Sequence, residues 1–372
     1  MKIVCDKKLL TAAVTNVCRA VSAKSTIPVL EGVHIIANGN QVTLSGYDLE
    51  MGIKTTIDAT VYKAGTVVLN AKLFSEIVRK MPMDEISIVV DNKNVAVISS
   101  GITQFSISAQ DSSEYPEMPV LDNSDYIYVA AGELKSMIDQ TLFAVSVNDS
   151  KPVHMGSLIE CDNGYITMVS VDGVRLALKR SKINYNGKKS FVVPGKTLSE
   201  ISKLINDSDK IVKISASNKH VVFEIEGYTV ISRLLEGDFL DYKTAIPQTN
   251  TTEVVVLVKD LIESIERTSL VIFDKLKAPI KLVLEEDVIK FYCQSPTGNS
   301  YDELACKING ANFEIGFNSK IMLDALKVIN DEKVKLLFNG ALSPMKIVPV
   351  DGDEFIFLIL PVRLKNDDKA ED

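Results

Sequence analysis

One stretch, SFVVPGKTLSEISKLIND (Ser190–Asp207), combines a short apolar strand with a helix whose apolar residues fall on one face. The same pattern occurs in TVVLNAKLFSEIVRKMP (Thr66–Pro82) and in FEIGFNSKIMLDALKVIND (Phe313–Asp331). When the helix starts are aligned, one column recurs every 124 positions and holds Asn70, Pro194 and Asn318. Equal steps over such a distance indicate a unit that is repeated three times along the chain.

Each repeat also begins with a helical pattern and contains alternating strands. The opening helices are predicted at Lys7–Arg19, Gly132–Ser146 and Val258–Leu270. Strand patterns of period two, separated by turn residues, follow each helix. Asp48 and Asp172, within two of these strand regions, are again 124 positions apart. The sequence therefore predicts an α+β fold of three repeated domains, each with two helices packed on antiparallel sheet.

Two polar segments that contain proline mark the expected domain limits. They are SSEYPEMPVLDNSD (Ser112–Asp125) and PQTNTT (Pro247–Thr252), and both have the composition of linkers. The limits that follow are residues 1–122, 123–249 and 250–364 for the domains, and 365–372 for a mostly charged tail that we expect to be disordered.

The composition excludes several classes of protein. The first residues include Lys2, Asp6, Lys7 and Lys8, which is incompatible with the apolar core of a signal peptide. No apolar run approaches the ~20 residues of a transmembrane helix. The five cysteines are scattered without C-x-x-C spacing, which predicts reduced, mostly buried thiols and no zinc site. We therefore expect a soluble, cytoplasmic protein.

The known catalytic motifs are not supported by the sequence. The GKT of Gly195–Thr197 would need a glycine at position 190 to form a phosphate-binding loop, and Ser190 stands there. There is no G-x-S-x-G motif, and the three histidines suggest no triad. We expect no catalytic residue, no metal site and no cofactor. An unrecognised hydrolase or transferase is the alternative, and saturable turnover would reveal it.

The second helix of each repeat carries recurring cations on the face opposite its apolar residues. The two basic columns contain Lys72, Lys196 and Lys320, and then Arg79, Lys203 and Lys327. Acidic residues lie between them at Glu76, Glu200 and Asp324. One interpretation is a solvated face with ion pairs at i, i+4 spacing, each contributing only a few tenths of a kcal/mol. The other is a surface that binds a polyanion.

The distribution of charge favours the second interpretation. The chain has a net charge of −8, yet its six predicted helices together carry five more positive than negative charges. Positive charge is therefore concentrated on helices and negative charge elsewhere. Such a surface would contact phosphates of double-stranded DNA weakly, without reading sequence, and in a manner sensitive to salt.

Several segments resemble the bacterial beta sliding clamp, the beta subunit of DNA polymerase III, over Met1–Leu364. The resemblance is carried by VSVDGVRLAL (Val169–Leu178), EGDFLDYKTAIP (Glu236–Pro247), FNSKIMLDAL (Phe317–Leu326) and LILPVRL (Leu358–Leu364). It implies a processivity factor with the DNA-clamp fold, in which a head-to-tail homodimer forms a ring of six domains around duplex DNA. Implied partners are the polymerase III catalytic subunit, the clamp loader, and other polymerases and repair proteins.

The resemblance also implies three sites. It places a peptide-binding pocket for short linear motifs at Val171, Gly173, Val174, Arg175, Leu176, Leu240, Ala245, Ile321, Leu342, Pro344, Leu358, Leu360, Val362 and Arg363. Phe105 and Ile107 of one copy would meet Leu270 and Val271 of the other at the dimer interface, unless these four are ordinary core residues. Besides the six helical cations, loop residues Lys24 and Asn148 match positions that touch DNA in the family.

Three residues depart from the pattern of the family. His154 stands where an aliphatic residue is usual, Val174 stands where histidine is frequent, and Ile321 replaces a common aromatic residue. We expect the pocket to persist with an altered peptide preference. A peptide-binding oligomeric scaffold that does not bind DNA is the alternative function, since it would keep the pocket without needing the basic helix face.

Overall fold

The computed structural model describes residues 1–121, 125–148, 150–272 and 278–364. Within these ranges the chain forms seven α-helices: α1 Lys7–Val17, α2 Ala71–Lys80, α3 Ala131–Thr141, α4 Gly195–Leu204, α5 Tyr242–Ala245, α6 Val258–Ser269 and α7 Ser319–Leu326. Six are the predicted helices, and α5 was not expected because four residues are too few to show periodicity. In the described ranges, no helix combines the length and apolar character needed to cross a bilayer.

The strands of the three repeats follow similar orders, except that the described part of the second repeat has no counterpart of β5 and β22. The first repeat contains β1 Lys2–Asp6, β2 Gly32–Asn38, β3 Gln41–Tyr47, β4 Met51–Asp58, β5 Thr60–Lys63, β6 Gly65–Asn70, β7 Glu85–Val90, β8 Val95–Ser100 and β9 Thr103–Gln110. The second contains β10 Ile127–Ala130, β11 Gly156–Asp162, β12 Tyr165–Val171, β13 Arg175–Lys182, β14 Lys189–Pro194, β15 Ile211–Ala216, β16 His220–Ile225 and β17 Tyr228–Arg233. The third contains β18 Thr252–Leu257, β19 Ile280–Glu285, β20 Val288–Ser295, β21 Gly298–Ala305, β22 Lys307–Gly310, β23 Phe313–Phe317, β24 Lys333–Phe338, β25 Met345–Pro349 and β26 Phe355–Ile359.

The recurring column before the second helix of each repeat has a local structural role. Asn70 caps α2, because its side-chain oxygen accepts a hydrogen bond from the Leu73 N–H at 3.0 Å. Asn318 caps α7 in the same way, accepting from the Lys320 N–H at 3.0 Å. Such a cap stabilises a helix by about 1 kcal/mol. Pro194, in the same column, cannot provide it because its side chain has no acceptor.

The first compact unit consists of Met1–Lys135 and Lys196–Leu234. Its strands form a 13-stranded sheet in the order β10-β15-β16-β17-β4-β3-β2-β6-β9-β8-β7-β1-β5. The sheet continues from the first repeat into the second, because β4 pairs with β17 in antiparallel register. Ile53 faces Val230 across this pair, and both are fully buried.

The second unit consists of Ser136–Gly195 and the described residues from Leu235 onward. It contains a 9-stranded sheet in the order β14-β11-β12-β13-β26-β25-β24-β18-β22 and a 4-stranded sheet in the order β21-β20-β19-β23. Here β13 pairs with β26, which joins the second repeat to the third. Ala177 faces Phe357 across this pair, and both are fully buried.

The observed architecture confirms the predicted α+β fold of three repeats with antiparallel sheets. The boundaries of the compact units do not coincide with those of the repeats. The chain passes from the first unit to the second within α3, after Lys135, and returns to the first unit at Lys196. The domain limits given above stay a prediction, and the tail at 365–372 lies outside the described residues. Among the thiols, burial raises the pKa of Cys5, Cys18 and Cys306 to about 11.

Candidate nucleic-acid and peptide interfaces

In the first unit, the basic helix residues are of two kinds. Lys72 and Arg79 on α2 are exposed and have no ion-pair partner among the described residues. On α4, by contrast, the Lys196 ammonium lies 2.6 Å from Asp48 Oδ2, and Lys203 lies 2.7 Å from Glu200 Oε1. Both cations of α4 are thus ion-paired, but only the pair of Lys203 with Glu200 lies within the helix, at i, i+3 spacing. The face of α2 keeps its positive charge available.

The second unit repeats this division on α7. Lys320 is exposed and unpaired within the described part of the chain, whereas Lys327 Nζ lies 2.7 Å from Glu266 Oε1 of α6. The two predicted loop residues are both exposed. Lys24 lies before the short turn that leads to β2, and the Asn148 side chain accepts a hydrogen bond from the Ser150 N–H at 3.0 Å.

The loop between β12 and β13 is held rigidly by Asp172 and Arg175. One oxygen of Asp172 accepts the backbone N–H groups of Val174 and Arg175, each at 3.1 Å. Its other oxygen lies 2.8 Å from Arg175 Nε. Gly173 has φ +93°, a conformation that favours glycine. Asp48 closes the corresponding turn of the first repeat through the Glu50 and Met51 N–H groups, which explains why aspartate recurs at these positions.

Arg175 also connects this loop to the third repeat. Its Nη1 lies 2.7 Å from Asp324 Oδ2 on α7, and its guanidinium group stacks over the Phe143 ring at 5.5 Å. The arginine side chain is largely buried, so two carboxylates and one ring fix a single orientation. Ile321, one turn before Asp324, is half-buried on the same helix.

The segment Leu360–Val362 is bonded to the loop and to β23. Leu360 donates its N–H to the Val174 carbonyl at 2.9 Å, and Val362 donates to the Gly316 carbonyl at 2.8 Å. Val174, Leu240, Leu342, Leu360 and Val362 are all exposed large apolar residues of this unit.

The remaining predicted pocket residues divide by burial. Val171, Leu176 and Leu358 are buried, Pro344 is half-buried, and Ala245 and Arg363 are exposed. Strand pairing brings Leu176 opposite Leu358, next to the bond between Leu360 and Val174. The pocket as a whole stays a prediction. A cavity of about 360 Å³ in the same unit shares none of the predicted lining residues.

Comparison with known proteins gives the relationship of the chain. Family models for the N-terminal, central and C-terminal domains of the DNA polymerase III beta subunit match residues 1–119, 128–241 and 243–363. The chain belongs to the DNA polymerase III beta subunit family. It is 33% identical over 376 residues to the beta sliding clamp of Bacillus subtilis, covering 98% of this chain and 100% of that protein.

Solved structures of beta subunits agree with the fold. The sliding clamp of Bacillus subtilis superposes with a TM-score of 0.96 at 32% identity, covering 98% of this chain and 100% of that one. A beta subunit from Eubacterium rectale has a TM-score of 0.94 at 34% identity, covering 97% and 99%. A beta subunit from Pseudomonas aeruginosa bound to griselimycin has a TM-score of 0.93 at 26% identity, covering 98% and 100%.

Membership of the beta subunit family confirms the resemblance on which the sequence analysis relied. The chain is a sliding-clamp processivity factor of DNA replication, without a catalytic activity of its own. That conclusion favours the clamp over both alternatives, the enzyme and the scaffold that does not bind DNA. Within the described ranges, no three His, Cys, Asp or Glu side chains converge where a metal ion could bind.

The four predicted interface residues of this beta subunit are not all core residues. Phe105 on β9 is 41% exposed and Leu270 after α6 is 79% exposed. Ile107 and Val271 are half-buried, and the Val271 carbonyl accepts hydrogen bonds from Ser295 Oγ at 2.7 Å and Thr297 Oγ1 at 2.8 Å. The alternative that all four are ordinary core residues is wrong for Phe105 and Leu270.

One departure from the family pattern, His154, has a local explanation. The His154 ring lies edge-on to Phe239, with centroids 5.4 Å apart, and burial lowers the pKa of this histidine. His154 thus packs as a neutral ring in place of an aliphatic side chain. The sequence missed the long-range pairs of Arg175 with Asp324 and of Lys196 with Asp48, because no local spacing links residues so distant along the chain.

Proposed function

We propose that two copies of the chain close head-to-tail into a ring around duplex DNA, on which the ring slides in the cytoplasm. The proposal also assigns the surface around Val174 and Leu360 to short linear motifs. These would come from the polymerase III catalytic subunit, the clamp loader, and other polymerases and repair proteins. One observation supports the ring. Consecutive repeats are joined by pairing of two edge strands, and the equivalent strands of the first and third repeats have no such partner among the described residues.

The open edges are those of β9 and β21. Where one repeat meets the next, the fourth strand of the earlier repeat pairs with the last strand of the later one, as in β4·β17 and β13·β26. By position, β21 corresponds to β4 and β13, and β9 corresponds to β17 and β26. Among the described residues, β21 pairs only with β20, and the stretch from Thr103 to Ser108 pairs only with β8. An edge of this kind favours pairing with another chain.

The internal repeat also predicts the register of the new pair. Ile53 pairs with Val230 and Ala177 pairs with Phe357, and the equivalent residues of the open strands are Ser300 and Phe105. Phe105 of one copy should therefore face Ser300 of the other. The two counterparts of Phe105, Val230 and Phe357, are fully buried, so pairing would bury the exposed phenylalanine ring as well.

The same register supports contact between the four interface residues. Two residues after Phe105, Ile107 would face Gly298. A Cβ atom placed on Gly298 would lie 3.9 Å from Val271 Cγ1. The Ile107 side chain of the other copy, which faces Gly298, would therefore contact Val271. Exposed Leu270 precedes it. Burying such apolar surface contributes about 25 cal/mol per Å² before the costs of association.

Loose contact with DNA is supported by the basic residues. Within the described ranges Lys72, Arg79 and Lys320 have no ion-pair partner, whereas Lys196, Lys203 and Lys327 each contact a carboxylate. With Lys24 and Asn148 these residues would hold the duplex through its phosphates, and contacts to phosphates carry no sequence information. So few available cations predict a low affinity for DNA. A closed ring does not require a high affinity, because it is retained by encircling the duplex.

A cysteine pair tests ring closure and its register directly. Phe105→Cys combined with Ser300→Cys should form a disulfide between copies on oxidation, giving a closed covalent dimer identified by mass spectrometry of the linked peptides. Ser106→Cys with Ser300→Cys is the matched control, because a shift of one residue turns the two side chains to opposite faces of the sheet. Equal cross-linking of both pairs, or a monomer in solution at micromolar concentration, would contradict the proposed ring.

A further inference from the structure

A buried layer of three side chains covers the strand pair that joins the first repeat to the second. Met51 on β4 faces Ser232 on β17 across this pair. The Ser232 hydroxyl and the hydroxyl of Thr197, on α4, hydrogen bond to each other at 2.8 Å. Met51 and Ser232 are each 1% exposed, and Thr197 is 2% exposed. The first strand junction is therefore sealed from solvent by one residue of the earlier repeat and two of the later one.

The junction between the second and third repeats has the same arrangement. Arg175 on β13 takes the place of Met51 and faces Ile359 on β26. Ile321 on α7 stands 124 positions after Thr197. Ile359 is fully buried, and half-buried Ile321 packs against the apolar core to which Ile359 belongs. A strand residue and a helix residue of the later repeat thus lie together in both junctions.

The junction between two copies would assemble the same three positions. In the register proposed above, Gly298 of one copy faces Ile107 of the other. The helix position is Leu73 on α2, 124 positions before Thr197. In the single chain Leu73 is 43% exposed and Ile107 is half-buried. A lone exposed leucine is common on protein surfaces, so its exposure gains meaning only from the buried counterparts in the two junctions within the chain.

The sizes of the residues in this layer are complementary. The first junction combines a large side chain at Met51 with the small Ser232 and Thr197. At the equivalent of Met51, Gly298 contributes no side chain. Among the described residues, a Cβ atom placed there would have one neighbour within 4 Å, Val271 Cγ1 at 3.9 Å. Protein interiors are close-packed, so this open space favours large side chains on the opposite copy.

We propose that Leu73 is an anchor of the contact between copies. Its side chain and that of Ile107 would together fill the space over Gly298 of the other copy, next to Val271. The inference rests on the proposed ring. It adds a helix residue to the four interface residues that the family resemblance implied.

The test is the dissociation constant of the dimer, measured by sedimentation of the full chain carrying a fluorescent dye. Leu73→Thr introduces the residue that α4 has at the equivalent position. We expect the dissociation constant to rise about a hundredfold, because burying a leucine side chain favours association about tenfold or more at each of the two junctions of the ring. Leu73→Met nearly conserves the side-chain volume, so its dissociation constant should stay within about threefold of the unsubstituted protein.

Leu9→Thr is the matched control, because Leu9 on α1 is 49% exposed and lies outside the three-residue layer. It should leave the dissociation constant unchanged, and circular dichroism should show the same helix content in all variants. The inference is overturned if Leu73→Thr and Leu9→Thr dimerise alike, or if Leu73→Met weakens the dimer as much as Leu73→Thr. In both cases a dimer of the unsubstituted chain would leave the ring intact. A monomer of the unsubstituted chain at micromolar concentration would contradict the ring and this inference together.

Discussion

Leu360 donates its backbone N–H to the carbonyl oxygen of Val174 at 2.9 Å, and this bond aligns two exposed apolar side chains of the second unit. The first unit contains the same bond between Arg233 and Glu50, at 2.8 Å. There the two side chains are charged and lie 3.8 Å apart as an ion pair. The two units share this backbone hydrogen bond, but only in the second unit are the side chains of the bonded residues apolar. This difference supports a single peptide site in each chain.

That relationship predicts how to abolish peptide binding without disturbing the fold. The double variant Val174→Glu with Leu360→Arg introduces into the second unit the glutamate and arginine that the first unit has at the corresponding positions, Glu50 and Arg233. We expect the affinity for a fluorescent peptide bearing an aliphatic and aromatic clamp-binding motif to fall at least tenfold in fluorescence anisotropy, with the melting temperature nearly unchanged. Glu50→Val with Arg233→Leu is the matched control and should retain full affinity. If the control weakens binding as much, the peptide site is misplaced.

The contacts of Arg175 predict a loss of stability when the side chain is removed. Arg175→Ala deletes hydrogen-bonded ion pairs with Asp172 and Asp324, and leaves both carboxylates without their cation. Because these groups are partly exposed, we expect a cost of about 1–2 kcal/mol in unfolding free energy, below that of a fully buried pair. Chemical denaturation measures it. Arg180→Ala, whose partner Asp353 is largely exposed, should cost less than half as much.

The two kinds of basic residue predict unequal effects on DNA binding. Lys72→Gln with Arg79→Gln removes two cations that have no ion-pair partner in the described part of the chain, so the slope of log affinity against log salt should become shallower by about two. Lys196→Gln with Lys203→Gln removes cations already neutralised by Asp48 and Glu200, and should change the slope by less than one. Filter binding to a short duplex between 25 and 150 mM salt provides the comparison. Equal slopes for the two variants would show that the ion pairs open on DNA.

His34 predicts a dependence of stability on pH. Its ring stacks on Tyr115 with centroids 4.6 Å apart, and burial lowers its pKa below the ordinary value of 6.5. Between the folded-state pKa and 6.5, His34 is therefore mostly protonated in the unfolded chain and mostly neutral in the folded chain. Stability should be complete above pH 6.5 and should be lost as the pH falls toward the folded-state pKa. His34→Asn should reduce the change in melting temperature between pH 7 and pH 5. If the variant only shifts the melting temperature by the same amount at every pH, His34 is not the cause of the pH dependence.

The repeated columns explain how far the sequence could predict this fold. Asn70 with Asn318, and Asp48 with Asp172, recur because each closes a local cap or turn, and local interactions leave a periodic trace in the sequence. The strand pairs that join the repeats leave no such trace, because backbone hydrogen bonds place little demand on side-chain identity. The division of the second repeat between two compact units was unpredictable for that reason.

The candidate sites show the same limit. Family resemblance suggested the peptide site around Val174 and Leu360, which stays a prediction. The sequence alone could not distinguish Leu360, which is exposed, from Leu358, which is buried two positions earlier. Among the cations, the regular spacing suggested ion pairs within each helix. Of the two cations on α4, Lys203 does pair with Glu200 of the same helix, but Lys196 pairs with Asp48 from another repeat. Lys72 has no ion-pair partner among the residues that the structure describes.

Retention on circular DNA tests the central claim most directly. The purified protein is loaded by an active clamp loader onto a nicked plasmid, half of which is then linearised with a single cut. A ring held topologically should stay on the circles for many minutes and leave the linear DNA within the time of sliding, even at a salt concentration that abolishes direct binding. Loss at the same rate from both DNAs, despite proven loading, would contradict a sliding clamp.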